Sequence, residues 1–493
     1  MHQVRFIPAR KAHVAWLSLL ALLSLTASAQ WDQFQGNAAH TGYTGSAIQP
    51  PNLTQIWSVD APTYSAGPGD RSVAIVEGDV YATMLDGYGP VGPYLLSRFD
   101  GLTGDVRWQV EVSTNSHSGV SAPSVTGGRV YCHVFGHSSS DDGQPALVSF
   151  DRGSGRELSR TTHSGQWSSG SRPTVTANFV YAAGGYYGGV DAYFTHGVHR
   201  WFHDVNQQYG WIPAADSLNV YVYMGEASAS PGPSTGSLFV INQGSGARWA
   251  TILHPRSDGS FGSSQSVMLG GQWDALALTY NDHPARENSR TLVSFHILSR
   301  SIRWELDGEF SGNPAVANNM VAVPYDAGLQ FVDQGTGDRL WAWEGGRCSG
   351  NVVLTDGFAF VNSGGSVHAI DLATRLSVWN SGGVAGSIAL EDELLIISNP
   401  TGVYAYSAPE GMPDNDVVSL KLVADGPDSA SLQILTAVEL DQCVIESSSS
   451  LSPGSWQDFH DCSTVIEAGI PYLHPIGLEG SGMIFRVYYT ATE

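Results

Sequence analysis

Lysine is nearly missing from this chain of 493 residues, which holds only Lys11 and Lys421. Charged residues together make up 14%, against roughly 25% in an ordinary soluble domain. Lys and Arg total 23 against 46 Asp and Glu, a net charge of −23. A chain so poor in cations does not track a phosphate backbone, which excludes nucleic acid as a partner. The lack of lysine also excludes Schiff-base chemistry from the long N-terminal region. Cysteine is scarce, at four residues, too few for a zinc centre without other ligands. No segment is apolar for long enough to span a membrane. What remains is abundant glycine (57), 14 Trp with 20 Tyr, and 42% hydrophobic residues, the composition of a folded chain.

The first thirteen residues carry Arg5, Arg10 and Lys11 and no acid, and the apolar run Val14–Leu25 follows. It ends in Ala27-Ser-Ala29, a small-x-small site. This is the layout of a cleaved signal peptide, residues 1–29. The expected protein is therefore secreted, to the periplasm or medium, after cleavage near Ala29. Losing three cations and no acids moves its net charge to −26.

A repeat runs from residue 66 to residue 407. Eight apolar segments open the repeats, at Ser72, Pro123, Pro173, Pro213, Ser266, Pro314, Asn351 and Ser387, spaced 36 to 53 residues apart. Alternating β-branched and aromatic residues bounded by Gly and Asn turns predict four strands per repeat. Closing hairpins read Arg98-Phe-Asp-Gly-Leu-Thr-Gly-Asp-Val-Arg-Trp108 and Phe331-Val-Asp-Gln-Gly-Thr-Gly-Asp-Arg-Leu-Trp341, with Ala369–Trp379 similar. Asp and Trp stand eight residues apart in each. Leu158, Trp201, Trp249 and Trp304 are expected at the corresponding places. The eighth repeat stops at Ser407, and the strand Gln55–Val59 is expected to complete it, closing the ring. The reading is all-β: an eight-bladed propeller over residues 30–410, then a small β-sandwich-like domain over 411–493.

The Asp-x-x-Thr-Gly-x-x-x-Trp hairpins, with the leader Trp31–Gly42, resemble the PQQ-like (quinoprotein-type) β-propeller superfamily. The resemblance covers about residues 31–407 and implies fold more than function, because it spans quinone-dependent dehydrogenases, an outer-membrane assembly lipoprotein and other secreted proteins. The adjacent cysteine pair of many such dehydrogenases and the anchor cysteine of the lipoprotein have no counterpart here. PQQ is not supported as a cofactor by these residues, and calcium stays open through Asp141-Asp142-Gly. No metal-ligand set is read. The C-terminal region looks like the small β-modules that end secreted bacterial proteins. Cys443 and Cys462 are expected to form a disulfide there. Cys132 and Cys348, in different blades, are expected to be unpaired.

Function has to be read from the axial mouth rather than the fold. Aligning the first strands brings Arg71, Ala122, Arg172, Ile212, Gln265, Asn313, Gly350 and Gly386 to the mouth. Blades 1–4 are rich in Arg, His and aromatics, and blades 5–8 are small and bland. Arg71, Arg172, Trp167, Tyr186, Tyr209, Trp211 and Tyr223 are expected to bind a ligand, aromatics stacking on sugar and arginine clamping an anion. The expected role is a secreted binding or scaffold module, a monomer, whose partner is a glycan, such as an acidic polysaccharide, or another secreted protein. The alternative is a polysaccharide lyase in which His117, His137 and Tyr187 move a proton beside a uronate carboxylate held by arginine. A quinone-dependent dehydrogenase is third.

Overall fold

The computed structural model describes residues 31–60, 72–85, 93–113, 119–135, 144–165, 172–205, 212–225, 236–255, 266–271, 273–280 and 290–408, and seven strands between residues 419 and 489. Eight four-stranded antiparallel sheets form the blades of a propeller. Their first strands, nearest the axis, include Ala74–Val76, Ser124–Thr126, Thr174–Val175 and Ala214–Ala215. Met268–Leu269, Ala315–Ala317, Cys348–Leu354 and Ser387–Glu391 complete the set. The eight expected starts are all present. In blade 8 the strand Thr54–Asp60 pairs with Gly402–Ser407, so a strand from before blade 1 closes the ring.

Burial follows from the stacking of blades face to face. Middle strands are covered on both faces and are buried along nearly their whole length, as in Arg290–His296 and Gly328–Asp333. Outer strands face solvent on one side and alternate, as in Val106–Ser113. Each Asp of the closing hairpins caps its own turn. Asp100 Oδ1 accepts from the amides of Leu102 and Thr103 at 3.0 and 2.9 Å, and Asp333 Oδ1 from Gly335 and Thr336 at 2.9 and 2.8 Å. Those amide bonds hold both carboxyls below the usual carboxylate range.

A register shift follows in every continuous third-to-fourth strand pair, at Arg98/Phe99, Ser149/Phe150, Ala192/Tyr193, Val240/Ile241, Ser294/Phe295, Phe331/Val332 and Ala369/Ile370. The tryptophan follows this bulge and faces the next blade. Indole N–H groups of Trp57, Trp108, Trp201 and Trp304 donate to the carbonyls of Gly101, Arg152, Gln243 and Gln334 at 2.7–2.9 Å. Each ring lies on a glycine of the neighbouring hairpin: Gly104, Gly155, Gly246 or Gly337. The register corrects two expected positions. Ser159 pairs with Ser149 and Ala250 with Val240, as Trp108 pairs with Arg98. Ser159 and Ala250 therefore hold the tryptophan places of blades 2 and 4, one residue beyond Leu158 and Trp249.

The described chain divides into two units, residues up to Ile48 with Gln55–Tyr406, and Gln49–Thr54 with the residues from Ser407 onward. The second unit contains a four-stranded sheet and a three-stranded sheet. Cys443 opens the strand Cys443–Ser448, and Cys462 lies outside the described residues, as does the expected signal peptide. Cys132 and Cys348 are buried and free. Among the described residues, no helix is long and apolar enough to cross a membrane.

Candidate functional site

The leader makes the floor of the axial mouth. It runs around the axis and bonds each blade in turn, through its backbone or a side chain. Ile75 N–H donates to the Trp31 carbonyl and Val125 N–H to the Asp32 carbonyl, both at 2.8 Å. The Gln33 carboxamide holds both backbone groups of Val175, at 2.8 and 3.0 Å. Ala215, Leu269, Val316 and Leu354 then donate to the carbonyls of Ala38, Ala39, Thr41 and Gly42 at 2.7–2.8 Å. The Ser46 hydroxyl ends the circuit on the Asp392 carbonyl of blade 8. Gly42 is required by contact and conformation: its φ is +64°, and a Cβ there would sit 2.6 Å from that of Ala315. The contacted first-strand residues stand three or four positions beyond the aligned mouth residues, about 10–13 Å deeper.

Phe34 rises from this floor. The Arg172 guanidinium lies 4.3 Å from its ring centroid, and the His40 ring meets it edge-on at 5.1 Å. Arg172 is 7% exposed and His40 fully buried, so this cation is part of the interior. Arg172, expected to clamp an anionic ligand, is buried against Phe34. Burial, with the nearby Arg172 charge, pulls His40 down to about 3. Its Nδ1 is 3.1 Å from the Val267 carbonyl, which can only accept, so Nδ1 carries the proton. Burial pushes Asp32 up to about 7.

Among the described residues, the mouth opens into a cavity at blades 6–8, where the sequence is blandest. A cavity of about 420 Å³ is lined by Asn313, Asn351, Asn362, Asn399, Ser349 and Ser387 with neighbouring small residues of blades 6–8. No lining residue is ionisable. Two of the amides lock blade 7 to blade 8. Asn351 takes the Ile388 N–H at 2.9 Å and gives to its carbonyl at 2.8 Å. Asn362 does the same with Gly386, both at 2.8 Å. A bulge between Ser349 and Val353, with Gly350 at φ +75°, turns Asn351 toward blade 8. Asn362 also donates to the Ser349 carbonyl at 3.4 Å, and its oxygen keeps a second lone pair.

Of the other expected site residues, Arg71, His117, His137, Trp167, Tyr209 and Trp211 lie outside the described residues. Tyr186 and Tyr187 lie on the tight turn of blade 3, 42% and 65% exposed, their rings edge-to-face at 5.0 Å. Tyr223 is a correction: it is fully buried, with its hydroxyl 2.8 Å from His254 Nδ1 and its ring packed against Phe295. Its strand is covered on both faces, so no side of it reaches the mouth.

A polar chain between blades 2 and 3 was not legible beforehand. His133 Nε2 and His163 Nε2 are 2.7 Å apart, His163 Nδ1 is 3.8 Å from Asp191, and Asp191 bonds His199 Nε2 at 2.8 Å. His163 Nδ1 also faces the Ser164 carbonyl at 3.0 Å, so it holds that proton, and Nε2 accepts from His133. Burial lowers His163 and raises Asp191, favouring the uncharged forms of both. Among the described residues, no group of three or more His, Cys, Asp or Glu is placed to hold a metal ion.

Residues 285–380 match a family model described as the outer membrane protein assembly factor BamB. The chain carries the PQQ-type eight-bladed propeller fold. BamB from Moraxella catarrhalis is similar over 72% of this chain and 99% of its own, at 13% identity and a TM-score of 0.51. A europium-containing methanol dehydrogenase is similar over 77% and 98%, at 12% identity and a TM-score of 0.41. The quinohemoprotein alcohol dehydrogenase from Comamonas testosteroni is similar over 80% and 83%, at 12% and 0.39. No curated protein matches the chain.

Proposed function

We propose that this chain is an exported binding or scaffold module that holds an uncharged, hydroxyl-rich glycan at the mouth of blades 6–8. The amide-lined cavity carries the reading, because its polar side chains are carboxamides and hydroxyls set in an apolar wall, without a single ionisable group. Carboxamides and hydroxyls both donate and accept, as sugar hydroxyls do, and a floor closed by the leader gives the ligand an end wall. The rigid clamps of Asn351 and Asn362 hold the wall in place before binding, which limits the ordering cost. The matched family model is named for an assembly factor, a role of holding partners, in keeping with a module that binds.

Calorimetric titration with a panel of neutral and acidic oligosaccharides tests this. Neutral members bind, and Asn313→Ala weakens them about tenfold. A panel without a single binder, or full affinity in the folded Asn313→Ala protein, sinks the reading. Incubation with acidic polysaccharides tests the alternative of a lyase, and growth of ultraviolet absorbance there would favour it over a binding module. Dye reduction with added quinone and calcium is expected to stay at background. N-terminal sequencing of exported protein should begin near Gln30.

A further inference from the structure

The blade 2–blade 3 seam keeps the setting of a tryptophan and lacks the ring. Trp108, Trp201, Trp304, Trp341 and Trp379 occupy the post-bulge position of their blades, Trp57 on the closing strand of blade 8 makes the same contact, and Ser159 and Ala250 are the exceptions. Blade 4 is compensated. Ala250 is buried in apolar core, while adjacent Trp249 bonds Asn219 at 2.8 Å beneath the Arg300 guanidinium, 5.1 Å from the ring.

Blade 2 has no such replacement. The receiving hairpin of blade 3 still presents its glycine, Gly197 at φ +94°, where a Cβ would lie 2.4 Å from Ser159 Oγ. The Thr195 carbonyl stands where the Gly101, Arg152, Gln243 and Gln334 carbonyls accept an indole N–H, and it takes the Tyr131 hydroxyl instead at 2.6 Å. Tyr131 matches Tyr81 and Tyr181, whose rings lie 6.1 and 6.0 Å from Trp108 and Trp201. Ser159 itself lies against Gly197, and on the Tyr131 and Thr195 side of this contact is a cavity of about 610 Å³, lined by Tyr131, Leu158, Ala177, Thr195, Arg129 and Asp151 with the Thr126–Gly128 turn.

We propose that this cavity binds a tryptophan side chain presented by a polypeptide partner. Two of its lining residues, Tyr131 and Thr195, have counterparts that stand beside an indole in other blades, so the repeat itself points to the chemistry of the occupant. Arg129 supplies the cation that Arg300 and Arg375 supply to Trp249 and Trp341. The cavity exceeds one ring, and nothing lies within 4 Å of a Cβ built on Gly127 or Gly128. That open wall admits the main chain on either side of the tryptophan, which favours a peptide over free indole.

The experiment is calorimetric titration of the full chain with N-acetyl-tryptophanamide, with free indole and with a Gly-Trp-Gly peptide. The peptide forms bind, the tripeptide several-fold more tightly than indole. Ser159→Trp puts the missing ring in place, raises the melting temperature and weakens peptide binding at least tenfold. Ala177→Phe, at an exposed position on the rim, blocks the same cavity from outside and decides the matter where Ser159→Trp does not fold. Tyr131→Phe frees the Thr195 carbonyl for an indole N–H and strengthens binding of the tripeptide but not of its N-methylindole analogue. Absence of binding by the native chain, or native affinity in the folded Ala177→Phe protein, overturns the proposal.

Discussion

The guanidinium of Arg172 rests 4.3 Å from the ring centroid of Phe34, joining the head of blade 3 to the leader that crosses beneath it. The pair is buried, so its value is to the ring closure of the whole propeller. Phe34→Ala should cost about 3–5 kcal/mol, the range for emptying a buried aromatic site. Arg172→Met keeps the volume and removes a charge that burial disfavours, so its cost should be below that of Phe34→Ala. Urea denaturation of the two variants decides: equal losses would show that the charge, not the ring, holds the contact.

Two leader groups make opposing contributions to the dependence of stability on acid. His40 is held neutral, near 3 when folded and near its ordinary 6.5 when unfolded. The unfolded chain therefore binds more protons as pH falls below 6.5, and this contribution to stability is lost down to about pH 3. Asp32 runs the other way, near 7 folded and 3.8 unfolded. Its contribution is fully present below about pH 4 and is lost as pH rises to 7. The two oppose each other between pH 4 and 6.5. Asp32→Asn should expose the His40 loss, with a melting temperature falling from pH 6.5 to 4. His40→Asn should do the reverse. Parallel pH profiles for both variants would contradict the linkage.

The tryptophan contacts can be taken apart at Trp304. Trp304→Phe keeps a ring but removes the N–H donated to Gln334, a loss of about 0.5–1.5 kcal/mol. Gly337→Ala puts a Cβ 2.7 Å from that indole at φ +80°, and should cost more than about 1 kcal/mol. In a Trp304→Ala background the collision vanishes and only the backbone cost remains. A double-mutant cycle with no coupling would mean that ring and glycine do not bear on each other.

Asn351 closes blade 7 against blade 8 through two backbone bonds to Ile388. Asn351→Ala strands a buried N–H and a buried carbonyl, and should cost about 2–4 kcal/mol. Asn351→Asp keeps the acceptor but sets a carboxylate oxygen against the Ile388 carbonyl, so it should be no milder. Thermal melts of both variants check this, and an Asp variant as stable as the native protein would contradict it.

The fold was legible because its signals are local. An Asp that caps its own turn, a glycine three or four residues later and a tryptophan beyond a bulge recur within a dozen residues, and period-two burial marks the strands between. One-residue errors arose where the marker was lost. Leu158 and Trp249 looked like the closing positions because the bulge that assigns Ser159 and Ala250 depends on pairing with a distant strand. The mouth was much less legible. Arg172 and Tyr223 have the chemistry of ligand residues, and nothing beside them in sequence tells that Phe34 and His254 cover them.

Lysine scarcity, acidity and the eight recurring hairpins belong to the sequence by itself, because composition sets the surface charge and turn chemistry acts over a few bonds. Tertiary structure alone decided which polar groups face a ligand. A carboxamide at position 351 or 362 reads as an ordinary loop residue until blade 8 arrives beside it. A serine at 159 reads as one substitution among repeats until blade 3 leaves a cavity open on that seam. Both facts rest on contacts between segments far apart along the chain, and those exist only once the ring has closed.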